Sequence, residues 1–400
     1  MYNVRNVTKD IVWVGASDRR LALFENIFPI QRGVSYNSYV LLDEKTVLLD
    51  TVDTGVAAQF FENLEYVLGN RKLDYLIVNH MEPDHCAMIG DIVRRYPEVQ
   101  IVGNAKTFGM MQQFFGTAFA ERAVTVKEGD TISTGKHTLH FVMAPMVHWP
   151  EAMVTYDDAD KVLFSADAFG TFGALNGNIF ADEVNFDRDW LSDARRYYTN
   201  IVGKYGASVQ ALLKKAEGLE IAVICPLHGP IWRENLGYIL EKYQKWSTYE
   251  AEDTAVAILY ASMYGNTASA ADALAGCLAE RGIKNIAVYD VSNVHVSELI
   301  GEIFRVSHLV FAAPTYNGGI YPIMENLLSD MKALSVQKKT VALLENGTWA
   351  ASTARQMCEK LSELKDVTVL DTQVSVKSAM LANQREELEK LADAIVTSMK

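Results

Sequence analysis

The sequence predicts a two-domain α/β protein, with an α+β sandwich over residues 1–250 and a doubly wound, five-stranded parallel sheet over residues 251–400. Three observations lead to this prediction. A chain of 400 residues is longer than one hydrophobic core usually organises. From Thr254 onward, short apolar runs alternate with amphipathic helical stretches, which indicates right-handed βαβ units. Before Thr254, strand-like runs often occur in pairs, which indicates hairpins.

The C-terminal part contains five candidate strands, each followed by a candidate helix. The apolar runs that predict strands are 255–261, 285–289, 308–313, 340–344 and 367–370. The amphipathic stretches that predict helices are 267–281, 297–306, 321–334, 352–364 and 383–400. Right-handed crossovers place helices on both faces of a parallel sheet, and the count of five strand–helix units matches the doubly wound type with the strand order 2-1-3-4-5.

The N-terminal part mixes hairpin-like pairs with strand–helix units. Its candidate strands are 11–14, 39–42, 46–50, 73–78, 100–103, 139–144, 161–165 and 220–225. Helical periodicity occurs at 56–68 and 87–96, and the best candidate for a polar linker is 241–253. This mixture favours an α+β sandwich.

The composition is that of an ordinary globular protein, with 49% hydrophobic and 22% charged residues. The 37 Lys and Arg against 50 Asp and Glu give a net charge of −13 without a basic cluster, so we expect no binding to nucleic acid or anionic lipid. No apolar run reaches the roughly 18 residues of a membrane helix, and the start has no leader-like apolar region. Four scattered cysteines form no C-x-x-C pair, so we expect a cytoplasmic protein.

The segment 79–85, NHMEPDH, carries the sharpest chemical signal in the sequence. It lies directly after a candidate strand and directly before a candidate helix, where a short turn can point alternate side chains into one cavity. Three further residues follow other candidate strands in the same way. The resulting candidate metal ligands are His80, Glu82, Asp84, His85, His148, Asp167 and His228.

Four imidazoles and three carboxylates are too many ligands for one tetrahedral metal site and suit two metal ions. Three carboxylates and one bridging hydroxide would neutralise two divalent cations, so that the pair could be buried. Nitrogen and oxygen ligands with open positions suit iron, manganese or zinc. Each histidine taken alone could instead be a core or capping residue, but their shared position after strands favours the metal site. Two other histidines, His137 and His140, are expected to face solvent.

Three loops after candidate strands predict a flavin site. The loop 262–267, SMYGNT, precedes a helix and carries hydroxyl groups but no lysine, which fits a single terminal phosphate better than a nucleoside triphosphate. Taken alone, this loop could also be an ordinary capped turn. The loops 314–319 and 345–349 follow the third and fourth strands, beside the switch point of such a sheet. The candidate FMN-binding residues are Ser262, Met263, Tyr264, Gly265, Asn266, Thr267, Pro314, Thr315, Tyr316, Asn317, Gly318, Gly319, Asn346, Gly347, Thr348 and Trp349.

These motifs resemble those of a known family. The string H-x-E-x-D-H is similar to the metallo-β-lactamase motif H-x-H-x-D-H, with Glu82 in place of the second His. Together with His148, Asp167 and His228, it resembles the flavodiiron proteins (A-type flavoproteins) over essentially the whole chain. The first two flavin loops are similar to those of flavodoxins, whereas the third shares only Trp349 with the usual pattern.

The resemblance implies a metallo-β-lactamase-like αβ/βα sandwich followed by a flavodoxin-like domain. It implies that Asp167 bridges two iron ions and that Tyr197 borders the metal pocket. The implied ligands are His80, Glu82 and His148 for one iron, and Asp84, His85 and His228 for the other. His85 is the ligand that some members of the family leave uncoordinated.

The resemblance also implies an oxidoreductase that passes electrons from an external carrier through FMN to two iron ions, where O2 is reduced to water or NO to N2O. The expected partners are the gas and a separate electron donor, a rubredoxin or its reductase. A domain of 250 residues has a radius of gyration of ~18 Å, so two sites in separate domains could be too far apart for fast electron transfer. We therefore expect a head-to-tail homodimer, or a dimer of such dimers.

Two other functions stay open at the level of the sequence. One is a dinuclear zinc hydrolase in which the flavodoxin-like half is a passenger, and the other is an electron carrier or redox sensor that uses FMN alone. Glu82 favours iron over zinc, because a hard anionic oxygen ligand stabilises a ferric ion better than imidazole does.

Overall fold

The computed structural model describes residues 1–400, which divide into two compact units. The first unit comprises Met1–Tyr198 and Tyr205–Tyr243, and the second comprises Thr199–Lys204 and Gln244–Lys400. No helix combines the length and the apolar character needed to cross a bilayer. A domain boundary at residue 250 stays a prediction. The expected linker 241–253 is in fact helical up to Ser247, because its periodicity continues that of the residues before it.

The first unit contains two large sheets and two short strand pairs. Its strands are, in chain order, β1 (Arg5–Asn6), β2 (Ile11–Trp13), β3 (Ala16–Asp18), β4 (Leu23–Phe24), β5 (Phe28–Pro29), β6 (Val34–Tyr36), β7 (Tyr39–Leu42), β8 (Thr46–Leu49), β9 (Tyr75–Ile77), β10 (Gln100–Gly103), β11 (Ala123–Thr125), β12 (Thr131–Ser133), β13 (Thr138–Met143), β14 (Met153–Asp157), β15 (Val162–Phe164) and β16 (Val223–Cys225).

The two large sheets are mixed, as the paired and alternating runs in the sequence indicate. The first has the order β1-β2-β7-β8-β9-β10-β11, antiparallel up to β8 and parallel from β8 to β11. The second has the order β12-β13-β14-β15-β16, antiparallel up to β15 and parallel between β15 and β16. Strands β8, β14, β15 and β16 are buried along their whole length, so both faces of these sheets are covered.

Eight helices accompany these sheets. They are α1 (Ala57–Leu68), α2 (Pro83–Cys86), α3 (Ile89–Arg95), α4 (Ala105–Phe115), α5 (Phe186–Asp189), α6 (Leu191–Tyr197), α7 (Gly206–Ala216) and α8 (Leu236–Ser247). Helix α4 has clear end signals: the Asn104 side chain accepts hydrogen bonds from the N–H groups of Lys106 and Thr107, and Gly116 ends the helix in the left-handed conformation. The carboxyl end of β9 leads into α2 within a few residues, whereas β15 is followed by a long irregular segment that reaches residue 180.

The second unit is the doubly wound sheet that the sequence predicts. Its strands are β17 (Asp253–Tyr260), β18 (Ala287–Asp290), β19 (Val306–Tyr316), β20 (Gly319–Ile320), β21 (Lys339–Asn346) and β22 (Val367–Val376). Its helices are α9 (Asn266–Glu280), α10 (Val296–Arg305), α11 (Pro322–Ala333), α12 (Thr353–Leu361) and α13 (Arg385–Ser398). The order β18-β17-β19-β21-β22, parallel throughout, confirms the expected order 2-1-3-4-5.

Alternate residues of the central strand β17 face two different cores. Ala257 and Leu259 pack with α10, α11 and α12, whereas Val256 and Ile258 pack with α9 and α13. Because side chains alternate between the faces of a strand, a run that is apolar at every position buries both faces of the sheet. The carboxyl edge of this sheet is therefore the open part of the unit.

Candidate metal centre and flavin cleft

The turn after β9 is held in place by a buried carboxylate that the sequence motif does not include. Asp50 accepts hydrogen bonds from the backbone N–H of Asn79 (2.7 Å), from the Asn79 side chain (2.8 Å) and from the N–H of His80 (3.2 Å). Burial raises the pKa of Asp50 to about 6, although the hydrogen bonds from Asn79 work in the opposite direction. The backbone of Glu82 is extended, and Pro83 begins α2. The side chains of Glu82 and Asp84, on both sides of Pro83, therefore point into the same pocket.

Four residues from three different loops form the first half of a metal-binding pocket. The Nε2 atom of His80 lies 3.3 Å from Oε2 of Glu82, and that of His148 lies 3.0 Å from the same oxygen. The Oδ2 atom of Asp167 lies 3.2 Å from both imidazole nitrogens. These four side chains offer one ligand atom each within 4.8 Å of one another, a spacing that one metal ion can fill.

The second half of the pocket uses the other oxygen of the same aspartate. Oδ1 of Asp167 lies 3.2 Å from Nε2 of His85 and 3.6 Å from Nε2 of His228. Asp84 completes this group, with one oxygen 3.4 Å from the His85 nitrogen and the other 3.3 Å from the His228 nitrogen. Asp167 therefore has the arrangement of a carboxylate that bridges two metal ions.

Two histidines of the pocket are oriented by acceptors behind them. Nδ1 of His80 donates to Glu151 (2.8 Å), which also accepts from the N–H of Met81 (2.8 Å), and Nδ1 of His228 donates to the carbonyl of Ser35 (2.8 Å). Because carboxylate and carbonyl oxygens only accept, the Nδ1 atoms carry the protons. Both rings therefore present the lone pair of Nε2 to the pocket.

Two carboxylates of the pocket have no hydrogen-bond partner in the protein, as ligands of a metal ion would. Both carboxylate oxygens of Asp84 and of Asp167 are buried without a hydrogen bond. Although burial alone would raise it, the imidazoles of His80 and His85 hold the pKa of Asp167 well below its usual range. Buried anions are stable only when they are paired, and cations between them would supply the missing partners.

The pocket has a polar mouth and aromatic walls. The side chains of Glu82, Asp84 and His148 are 13%, 11% and 9% exposed, whereas the other four candidate ligands are at most 1% exposed. Burial acts to lower the pKa of His148, but the carboxylates of Asp167 and Glu82 beside its ring outweigh burial and raise that pKa to about 9. These three residues, called here the polar mouth, are where water can reach the site.

Rings surround the deeper part of the pocket. Phe24 and Tyr197 each lie 5.4 Å from the ring of His228, and Trp149 lies 5.4 Å from the ring of His80. The hydroxyl of Tyr197 is buried without a hydrogen-bond partner, and burial raises its pKa well above the usual range. It is therefore a protonated donor beside the second half of the pocket.

A flavin-sized cleft lies at the carboxyl edge of the sheet in the second unit. Its volume is about 420 Å³, within the range of small-ligand sites. Thirteen of the sixteen candidate flavin residues line it; the other three are Gly265, Tyr316 and Gly319. Ala350 and Ser378 also line it, and sequence patterns gave no signal for either residue. The loop expected at 314–319 is partly a hairpin, because β19 continues to Tyr316 and Asn317 and Gly318 form its two-residue turn with positive φ.

The cleft offers groups suited to a phosphate and to a flat ring. Gly265 caps α9 with φ +90° and no side-chain acceptor, so the first N–H groups of the helix stay available to an anion. Tyr264 and Trp349 are 92% and 81% exposed, which is unusual for large aromatic residues unless a ligand covers them. Asn346 exchanges hydrogen bonds with the backbone of Ser378, which holds two walls of the cleft together.

Comparisons with known proteins match both parts of the chain. The family model described as ODP family beta lactamase matches residues 34–229, and the flavodoxin model matches residues 258–394. The anaerobic nitric oxide reductase flavorubredoxin of Vibrio vulnificus is 31% identical over 93% of this chain and 75% of its own length. The chain belongs to the flavodiiron protein family.

Solved structures show the same two-part architecture as this flavodiiron protein. The rubredoxin oxygen:oxidoreductase of Desulfovibrio gigas is 27% identical with a TM-score of 0.91, covering 99% of this chain and 98% of its own. The flavodiiron protein of Giardia intestinalis is 24% identical with a TM-score of 0.93, covering 100% and 98%. The predicted fold, a metallo-β-lactamase-like domain followed by a flavodoxin-like domain, is confirmed, and so are FMN and two iron ions as the cofactors.

Two carboxylates near the metal pocket of this flavodiiron protein were not anticipated. Glu151 follows His148 by three residues, but nothing in the spacing distinguishes it from a surface glutamate. Glu25 occupies the turn between β4 and β5, and the loss of hydration around its carboxyl and the neighbouring Glu82 raise its pKa to about 8. Both carboxylates come from segments far from the H-x-E-x-D-H string in sequence, so only the fold brings them to the site.

Replacing Glu151 by Gln is expected to weaken metal retention roughly 10- to 100-fold, because a neutral amide makes His80 a poorer ligand. The measurement is the iron content per chain after dialysis against graded concentrations of a chelator. Glu128→Gln is the matched control, because Glu128 is 51% exposed and carries its ion pair with Lys215 on the surface. If Glu151→Gln holds its metal as firmly as this control, the carboxylate does not orient His80.

Proposed function

We propose that this flavodiiron protein takes electrons from an external carrier into FMN and delivers them to two iron ions, where O2 is reduced to water or NO to N2O. The single observation that carries the proposal is the pocket in which the two oxygens of Asp167 face two separate groups of ligands. The relatives are named as a nitric oxide reductase and an oxygen:oxidoreductase, which supports the same pair of gases here.

We propose the same assignment of metal ligands that the family resemblance implies. His80, Glu82 and His148 hold one iron, and Asp84, His85 and His228 hold the other, with Asp167 between them. The geometry supports including His85, because its Nε2 lies 3.2 Å from Asp167 and 3.0 Å from Nε2 of His228. Two nitrogens converging this closely on a carboxylate suit a shared cation.

The proposed flavin site has a phosphate end and a ring end. The N-terminus of α9 and the hydroxyls of Ser262 and Thr267 hold the phosphate, and Tyr264 and Trp349 cover the ring. The support is that these residues line one cleft and that the first turn of α9 has no side-chain cap. The remaining candidates that line the cleft, such as Thr315 and Asn346, contact the polar edge of the ring.

The bound iron pair supplies the chemistry of binding and reducing the gas, and the chain's own residues supply position and protons. Reduction of one O2 to two waters consumes four electrons and four protons, and conversion of two NO to N2O and water consumes two of each. The hydroxyl of Tyr197 keeps its proton inside the pocket, and the polar mouth admits protons from solvent. The aromatic walls exclude bulk water from the buried half.

The flavin and metal sites lie in different compact units, so the electron route depends on assembly. We propose a head-to-tail homodimer, or a dimer of such dimers, in which the flavin of one chain serves the metal pocket of its partner. Sedimentation of the loaded protein at equilibrium is expected to give at least a dimer at every concentration that shows activity. A monomer with full activity contradicts this proposal.

The proposed electron donor is a separate rubredoxin or its reductase, and the proposed location is the cytoplasm. The names of the relatives refer to rubredoxin or include it, which supports the choice of donor. All four cysteines are free, three of them buried and one exposed, as a reducing compartment allows.

The test of the proposed activity is anaerobic reduction of the purified protein, followed by separate pulses of O2 and NO with product analysis. We expect oxidation of the flavin with stoichiometric loss of at least one gas, and two iron ions per chain by metal analysis. Two zinc ions, no iron and turnover of an ester or lactam would instead support the hydrolase. Flavin oxidation that is unchanged by His148→Ala would support an FMN-only carrier.

A further inference from the structure

A small apolar cavity lies between the second sheet and helices α7 and α8, in the unit that contains the metal pocket. Its volume is about 30 Å³. Its one polar lining residue, Ser165, turns its hydroxyl away to donate to the carbonyl of Ala168 (2.7 Å). The apolar side chains that define it include Val154, Leu163, Ile224, Leu212 and Leu240.

The apolar character of the lining side chains determines what can occupy the cavity. A space of this size could hold a water molecule, but a buried water needs two to four polar partners. The lining supplies none, and dry apolar cavities take up apolar solutes such as xenon. O2 and NO are small, uncharged molecules with the same preference for an apolar environment over water.

The residues that line the cavity differ in how far they are exposed to solvent. Ala216, Leu219 and Ile221 line its outer end and are each partly exposed. Leu163 and Phe169 line its inner end and are each only 5% exposed. The partly exposed residues therefore mark the side of the cavity nearer to solvent, and Phe169 marks the side next to the turn that follows β15.

The inner end of the cavity and the proposed bridging carboxylate belong to the same tight turn, 165–170. Ala168 donates to the carbonyl of Ser165 (3.1 Å), and Gly170 donates to the carbonyl of Asp167 (3.1 Å). The N–H of Phe169 donates to the hydroxyl of Tyr243, and the two rings lie 4.3 Å apart. Phe169 thus belongs both to the lining of the cavity and to the turn that presents Asp167.

We propose that this cavity binds the diatomic gas and is the apolar route by which the gas approaches the metal pocket. The identity of the gas rests on the proposed function, but the apolar character of the ligand does not. The polar mouth of Glu82, Asp84 and His148 then serves protons and water, while the gas arrives from the side of Phe169. We expect two separate routes because the polar mouth consists of charged and polar side chains, whereas the cavity is lined by apolar side chains.

The experiment compares two substitutions on the same helix. Ala216→Phe places a ring at the outer end of the cavity, at a partly exposed position that tolerates bulk. Ala211→Phe makes the same change at an exposed position of α7 that does not line the cavity. Leu219→Ala widens the outer end instead. Each holoprotein is examined for xenon by anomalous diffraction of pressurised crystals, and for the gas dependence of turnover.

We expect xenon in the cavity of the wild type and of Ala211→Phe, more of it in Leu219→Ala, and none in Ala216→Phe. We expect kcat/KM for the gas to fall about fivefold in Ala216→Phe with kcat unchanged, because only gas entry is affected. Absence of xenon from the wild-type cavity overturns the proposal, and so does an unchanged kcat/KM in a variant that has lost xenon. Xenon binding in a wild type that consumes neither gas supports the cavity and contradicts the proposed function, which separates the two.

Discussion

The Asp167→Ala variant is expected to lose both iron ions and to reduce gas at least about 100-fold more slowly than the wild type. Asp167 is the one side chain that faces both groups of ligands, with Oδ2 towards His80 and His148 and Oδ1 towards His85. Removing one member of a buried charge network costs roughly 3–5 kcal/mol, and each 1.4 kcal/mol is about a factor of ten. The measurements are iron per chain and the rate of gas consumption by the dithionite-reduced protein.

Asp84→Ala is the matched control for this result, because Asp84 belongs only to the second group of ligands. We expect it to retain about one iron per chain, where Asp167→Ala retains almost none. The flavin absorption spectrum should be unchanged in both, since neither residue lies in the second unit. An Asp167→Ala protein that still holds two iron ions would falsify the assignment of Asp167 as the bridge.

The Ser262→Glu variant is expected to bind FMN at least about 100-fold more weakly while keeping its iron. Ser262 lines the flavin cleft at the start of the loop before α9, and its hydroxyl accepts a hydrogen bond from the N–H of Gly265 (3.1 Å). A carboxylate there would occupy the anion site at the helix N-terminus and repel the phosphate, whose charge-assisted hydrogen bonds contribute about 1.5–3 kcal/mol each. The measurement is the dissociation constant of FMN from the quenching of its fluorescence.

Ser292→Glu adds the same charge to the same unit at an exposed residue after β18, outside the flavin cleft, and should bind FMN normally. Electron transfer from a rubredoxin-type donor to the gas should stop in Ser262→Glu at FMN concentrations that sustain it in Ser292→Glu. Equal affinity of the two variants for FMN would place the phosphate elsewhere in the cleft.

The second unit was easier to predict from sequence, because apolar runs and amphipathic helical stretches alternate regularly along it. All five parallel strands and all five helices were expected within a few residues, except that β19 and β22 run beyond their predicted ends. In the first unit, the helices α4 and α7 were not anticipated, and neither were the strands β1, β3, β4, β5, β6, β11, β12 and β14. Strand β14 is buried at all five positions and therefore shows no period of two, and α4 and α7 have no neighbouring alternation to mark them.

One expectation about charged side chains was wrong. His137 was expected to face solvent, but it is fully buried, and its Nδ1 bonds to both oxygens of Asp157 at 2.9 and 3.0 Å. The carboxylates raise its pKa even though burial acts against this. A single polar residue at the start of a strand does not show which face it occupies, because that depends on the partner strands and loops.

The sequence by itself determined the order of strands and helices in the second unit, the seven candidate metal ligands and the glycine-containing loops of the flavin cleft. These features are local, because strand ends, helix caps and ligand-rich turns are encoded by residues close together in the chain. Only the tertiary structure decided that Asp167 faces both groups of ligands, that Glu151 accepts a hydrogen bond from His80, and that Phe169 lines an apolar cavity. Each of these depends on contacts between segments far apart in sequence, whose distances follow from how sheets and helices pack and not from the spacing of residues.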